Sequence, residues 1–191
     1  MVGKYSYREN RVELRGRLST LINPCKSVSS VVKEIFQDWE ANRGSWKSQG
    51  ALVLYRAARV FLRKPEPVRW LGFPVAAVYV VLVEWGMGIE LNLKSRIGPG
   101  LRLYHGMGLV VHEKAVIGKN CALRHCSTLG EKNGSAPVLG DHVDVGCNVV
   151  ILGAVKVGDG AVIGAGSVVL HDVAPGAVVA GNPARAIKPT A

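Results

Sequence analysis

The sequence lacks the cysteine spacing of a metal site: Cys25, Cys121, Cys126 and Cys147 form no C-x-x-C pair and stand beside no histidine pair at zinc-ligand distance. No structural metal is expected, and reduced, buried thiols are. It also lacks any run of five basic residues and any recognisable nucleic-acid motif, despite a formal net charge of +10, which argues against a nucleic-acid partner. The opening stretch MVGKYSYRENRVELRG has no apolar core of the kind a secretory signal needs, so a cytoplasmic location is expected. The apolar run Trp70 to Val83 (WLGFPVAAVYVVLV) spans 14 residues and is interrupted by Pro74. A bilayer span takes about 20 residues. The run therefore reads as a buried helix or a subunit contact, with membrane association at most peripheral.

What is present is a globular composition, 48% apolar and 20% charged over 191 residues, enough for one sizeable core. The positive charge is uneven: residues 1–96 hold 16 Lys/Arg against 8 Asp/Glu, and residues 97–191 hold 8 against 6. Ser30 to Gly44 predicts a helix with Val31, Val32, Ile35, Phe36 and Trp39 on one face. A second follows through QGALVLYRAARVFLRK and stops at Pro65, and a third runs from about Val68 to Gly86.

After Ile97 the pattern changes to a six-residue repeat. Aliphatics recur in three registers: Ile97, Leu103, Leu109; Ile117, Leu123, Leu129; then Leu139 to Val169 in sixes. Glycine follows the aliphatic at 98, 118, 130, 140, 146, 158 and 164. A hexapeptide period predicts a parallel β-helix of triangular section, with three six-residue sides per coil. Four coils are expected, 97–114, 117–134, 139–156 and 157–174. The division predicted is an α-helical domain over 1–92 and a β-helix with its C-terminal tail over 93–191. The register breaks after Leu109 and Leu129 place loops around His112–Glu113 and Glu131–Pro137.

Stacked coils bring His105, His125, Cys147 and Ala165 into one column, each two places after an inward aliphatic. Two histidines then stand above two small residues, whose short side chains leave a groove with exposed backbone amides. A neutral imidazole titrates near working pH and can take a proton from a hydroxyl. His105 is the candidate base. His125 reads equally as a stacked structural residue or a polar contact to substrate.

The segments GIELNLKSRIGPGLRLYHGMGLVVHEKAVIG, TLG, VGDGAVIGAGSVVLHDV and AGNPARAI resemble those of serine acetyltransferases and of the polysaccharide O-acetyltransferases of capsule and colanic acid synthesis. The resemblance covers about residues 45–190. It implies a left-handed winding, acetyl-CoA as co-substrate without a metal, and a homotrimer, with a dimer of trimers as a further step. It also implies that His105 deprotonates the acceptor hydroxyl and that Glu90, where the family carries an aspartate, orients the imidazole. Cofactor contacts are implied for Cys147, Ala165, Arg185 and Lys188. Contacts to the acceptor are implied for Arg124, His125 and, from the helical part, Asp38.

The resemblance departs at one place. Serine acetyltransferases carry an Arg-His pair before the proline that ends the protruding loop, whereas Ser135 and Ala136 precede Pro137 here. The carboxylate of serine thus loses its expected partner, and the Arg124-His125 pair before TLG is closer to the polysaccharide branch. A saccharide hydroxyl is the preferred acceptor. Serine O-acetylation and a non-catalytic β-helix scaffold are the alternatives.

Overall fold

The computed structural model describes residues 28–188. The chain divides into two units between Lys33 and Glu34. Helix α1, Val28–Ile35, stops short of the Gly44 expected from its apolar spacing. Long-range hydrogen bonds win over helix continuation beyond it. The buried Asn42 amide donates to the Leu101 carbonyl and accepts from the Leu103 amide, so residues 36–45 fold as turns with a short 3₁₀ segment, Glu40–Asn42.

Ser45 accepts a hydrogen bond from the Ser48 amide and caps α2, Trp46–Leu62. A proline-bearing turn leads to a continuous helical segment built of a 3₁₀ turn, Val68–Leu71, α3, Gly72–Tyr79, and a π-helical turn, Val80–Trp85. α2 and α3 pack through Tyr55 and Tyr79, whose rings lie 5.8 Å apart. The Tyr79 hydroxyl donates to the Leu91 carbonyl and accepts from the Leu91 amide, which ties the segment to the first coil. Burial holds the Tyr79 hydroxyl proton well above the ordinary phenol range.

From Ile89 onward the chain is a parallel solenoid with three flat faces. The first face stacks Ile89–Leu91, Leu109–Val111, Thr128–Gly130, Val150–Leu152 and Val168–Val169. The second stacks Arg96–Ile97, Val116–Ile117, Val138–Leu139 and Lys156–Val157. The third stacks Arg102–Tyr104, Ala122–Arg124, Asp144–Val145, Val162–Ile163 and Val178–Gly181, and ends in the antiparallel strand Ala184–Lys188. The register pairs the predicted aliphatics directly, Ile97 with Ile117, Ile117 with Leu139, and Leu139 with Val157. All of these are buried.

The solenoid has about five turns rather than four. The additional half-turns lie where the six-residue spacing fails. Ile89 sits eight residues before Ile97 yet pairs with Leu109. Val173 follows Val169 by only four and bridges Val157, and Val179 then pairs with Ile163. The core runs without interruption from Leu52 and Tyr55 of α2 through the coil aliphatics to Val179.

The loop after Leu129 is a small hairpin. Lys132 and Ser135 exchange backbone hydrogen bonds across Asn133-Gly134, both at positive φ, the geometry of a two-residue hairpin turn. At a second corner Gly98, Gly118, Gly140 and Gly158 follow the inward aliphatics of the second face. A Cβ on Gly118 would come within 2.2 Å of the Gly140 carbonyl oxygen, so the coils stack there through bare backbone.

Candidate active site

His105 follows the third-face strand Arg102–Tyr104 at the corner that leads to the first face. It is exposed and has a φ of 66°, a left-handed conformation uncommon for any residue with a side chain. The turn is held from two sides: the Met107 amide donates to the His105 carbonyl at 2.8 Å, and Gly106 faces Ile89, leaving no space for a Cβ. The imidazole is thus mounted on a rigid corner rather than on a loop.

The column expected from the repeat is present. Leu103 pairs with Leu123, Ala122 with Asp144, and Val145 with Ile163, so the positions two residues beyond follow the same register. The Asn148 amide donates to the His125 carbonyl and the Gly166 amide to the Cys147 carbonyl. The rings of His105 and His125 meet edge to face at 6.1 Å. Nδ1 of His125 is buried and has no hydrogen-bond partner among the described residues. Cys147 is half-buried and Ala165 exposed, and neither side chain is large enough to cover the backbone beneath it.

Beside His105 lies an aromatic platform that sequence reasoning did not single out. Tyr104 is flanked by the guanidinium groups of Arg102 and Arg124, 4.6 and 4.8 Å from its ring centre, within cation–π range. Arg124 is already engaged: it pairs with Asp144 and donates to the Val145 carbonyl at 3.0 Å. The hydrogen bond that Arg124 donates to the Asp144 carboxylate pushes the Arg124 pKa up. The Arg124 guanidinium is thus committed to Asp144, the Val145 carbonyl and the Tyr104 ring. The available signal was adjacency to His105 and shared strand register between Tyr104 and Arg124.

Glu90 is exposed on the first coil, opposite Val110, and no hydrogen bond joins it to His105 among the described residues. It has a neighbour that sequence reasoning missed. The carboxyl of Glu84 is pushed above the usual carboxylate range, first by desolvation and then by repulsion from Glu90. Two carboxylates thus share the top of the solenoid.

Asp38 is placed differently from the sequence expectation. It is 2% exposed, with one oxygen accepting from Arg56 Nε at 2.7 Å and the other from Arg56 Nη2 and the Leu101 amide. Arg56 in turn donates to the carbonyls of Ile97 and Gly98. Asp38 is thus held inside the joint between α2 and the first coil, with both carboxylate oxygens already bonded. Among the thiols Cys121 is buried, Cys147 half-buried and Cys126 exposed, so the expectation of buried thiols holds for Cys121. Cys25 lies outside the described residues.

Arg185 is exposed, and its guanidinium donates to the neighbouring Ala184 carbonyl. Lys188 ends the last strand, and its side chain lies outside the described residues. Arg185, His171 and Asp172 border an open cleft of about 450 Å³ at the C-terminal end. His171 and Asp172 also border a second cleft, of about 540 Å³, beside the Lys132–Ser135 hairpin. Neither includes His105, His125, Cys147 or Ala165. In one chain the column is an open edge without an opposing wall.

Residues 136–171 match the family described as "Bacterial transferase hexapeptide (six repeats)". The chain is 33% identical over 170 residues to serine acetyltransferase of Helicobacter pylori, covering 84% of this chain and 96% of the relative. It is 31% identical over 157 residues to the putative colanic acid biosynthesis acetyltransferase WcaB of Escherichia coli K12, covering 79% and 97%. Serine acetyltransferase 4 of Arabidopsis thaliana is 45% identical over 104 residues, but the chain spans only 29% of that protein's length. Among solved structures, soybean serine acetyltransferase without ligand aligns with a TM-score of 0.70 at 32% identity, over 83% of this chain and 69% of that one. A serine acetyltransferase in complex with CoA aligns equally well by TM-score at 26% identity, over 84% and 71%. With a left-handed parallel β-helix, a recurrent hexapeptide register and two relatives matched over nearly their whole length, the chain belongs to the hexapeptide-repeat acetyltransferases, in the branch that holds the serine acetyltransferases and WcaB.

Proposed function

We propose that the chain is an acetyl-CoA-dependent O-acetyltransferase that acetylates a saccharide hydroxyl, with His105 as general base. The carrying observation is the column itself: an exposed imidazole at the head of a stacked row of residues that ends on the small side chains of Cys147 and Ala165. In the reaction His105 accepts the hydroxyl proton as the oxygen attacks the thioester carbonyl. The C–S bond then breaks, and the protonated imidazole returns the proton to the departing CoA sulfur. Glu90 would turn toward His105 and stabilise the imidazolium once substrate and a neighbouring subunit close the site. Bare backbone at Gly146 and Gly164, next to Cys147 and Ala165, suits the extended pantetheine arm, and Arg185 suits the phosphates of the nucleotide end. A groove open on one side is supported best by a homotrimer, in which the adjacent subunit supplies the second wall.

Two observations favour a saccharide. Ser135 and Ala136 replace the basic pair of serine acetyltransferases before Pro137, and the Lys132–Ser135 hairpin closes on itself. A second reading, serine O-acetylation, is favoured by the relative from H. pylori and by the soybean structure. CoA release measured with purified protein, acetyl-CoA and either serine or oligosaccharide acceptors separates them: oligosaccharide-dependent release is expected, and robust turnover with serine alone would overturn the preference. Replacing His105 by Ala is expected to lower turnover about 10²-fold or more. A scaffold would show no turnover before or after the change.

A further inference from the structure

The segment Val68–Trp85 leaves an apolar stripe uncovered. Its 18 residues are long and apolar enough to cross a membrane, and 17% of them are buried. The inner face is fixed, with Tyr79 and Val83 fully buried and the Tyr79 hydroxyl bonded to both backbone groups of Leu91. The outer face is equally apolar: Trp70 is 66% exposed and Trp85 79%, with Phe73, Val78, Val81 and Leu82 between them at helical spacing. A helix that is apolar all round belongs inside a protein core or against lipid. The core is satisfied on one side only.

We infer that this stripe is a docking surface for an anionic lipid bilayer, on which the segment lies in the plane of the interface. Charge selects this occupant over a second copy of the chain. Arg63 and Arg69 are exposed at the entrance to the stripe, and among the described residues around them in sequence only Glu66 opposes them. Copies meeting in parallel through this face, as around a threefold axis, would bring Arg63 and Arg69 of each together, whereas an anionic surface attracts each exposed Lys or Arg near it. Trp70 and Trp85 stand at opposite ends of the stripe, and tryptophan settles at headgroup level. Glu84, next to Trp85, has its carboxyl pushed up by desolvation and by Glu90, which lowers the cost of bringing that end close to lipid. Because Tyr79 is locked to the first coil, the segment cannot leave the protein to span the bilayer.

The test is flotation of the full chain with vesicles of phosphatidylcholine alone and of phosphatidylcholine with about 30 mol% phosphatidylglycerol. Binding is expected to the anionic vesicles, weakened by high salt. Arg63→Gln/Arg69→Gln is expected to reduce it about tenfold, and Trp70→Glu/Trp85→Glu to abolish it, with the molar mass in solution unchanged in both. Quenching of tryptophan fluorescence by lipids brominated on their acyl chains reads the same contact in the unaltered protein, so the inference stays testable if a variant fails to fold. Protein left unbound by anionic vesicles, unquenched by brominated lipid, or reduced in molar mass by the tryptophan substitutions would overturn it. The last result would assign the stripe to a contact between copies.

Discussion

At the scale of single residues, side chains of the same type hold different roles because their surroundings differ. Asp38 and Glu90 were both read as acids serving the reaction. Asp38 is buried with three donors around it, and Asp38→Ala is expected to cost about 3–5 kcal/mol by leaving Arg56 charged and uncompensated in the interior, read as a shift in urea unfolding. Its partners lie 18 and 63 positions away in sequence, so no local pattern could announce them. Glu90 is exposed and meets a second carboxylate, Glu84. The raised pKa of Glu84 means that the folded chain holds this proton to higher pH than the unfolded chain, and stability falls as pH rises from the unfolded value of about 4.5 through the folded one. Glu84→Gln is therefore expected to raise the melting temperature near pH 7 and to change it less near pH 4. Equal shifts at both pH values would contradict the assignment.

At the scale of elements, the six-residue period was legible because every inward position of the solenoid is narrow and dry, so each coil repeats the same demand for an aliphatic. The corners were less legible. A strand that enters after an eight-residue interval, as Ile97 does after Ile89, leaves the register without leaving the solenoid, and the first and last turns were missed for that reason. The glycines of the second face illustrate two kinds of constraint. Gly118→Ala places a methyl against the Gly140 carbonyl and is expected to destabilise by more than about 3 kcal/mol, since two backbones must separate. Gly160 has a φ of 66° and nothing within 4 Å of a Cβ, so Gly160→Ala is expected to cost only about 1–2 kcal/mol of backbone strain. Thermal melts of the two variants check the difference. The helical stretch from Ser30 stopped early for a third reason: its hydrogen-bonding residues, Asp38 and Asn42, found partners in the first coils.

At the scale of the whole molecule, the groove below His105 has one wall, and the proposed chemistry needs two. Light scattering of the purified protein is expected to give about three times the chain mass of 20.4 kDa, and a monomer that turns over acetyl-CoA would refute the shared site. The stripe on Val68–Trp85 also belongs to this scale. A helix with no polar side gives no sign in its sequence of which face is outward, and here Pro74 and the modest length point to a buried helix or a subunit contact. The tertiary structure leaves most of the segment uncovered in one chain.

The sequence by itself determined the solenoid and the stacking of His105 over His125, Cys147 and Ala165, because these follow from a repeat whose register is rigid once begun, and its motifs carried the resemblance to the acetyltransferase branch. The tertiary structure decided what depends on distant partners: the burial of Asp38 against Arg56, the engagement of Arg124 with Asp144 beside Tyr104, the nearness of Glu84 to Glu90, and the exposed side of the third helical segment. Periodicity reports which side chains share a face. It cannot report which groups from other parts of the chain arrive to meet them.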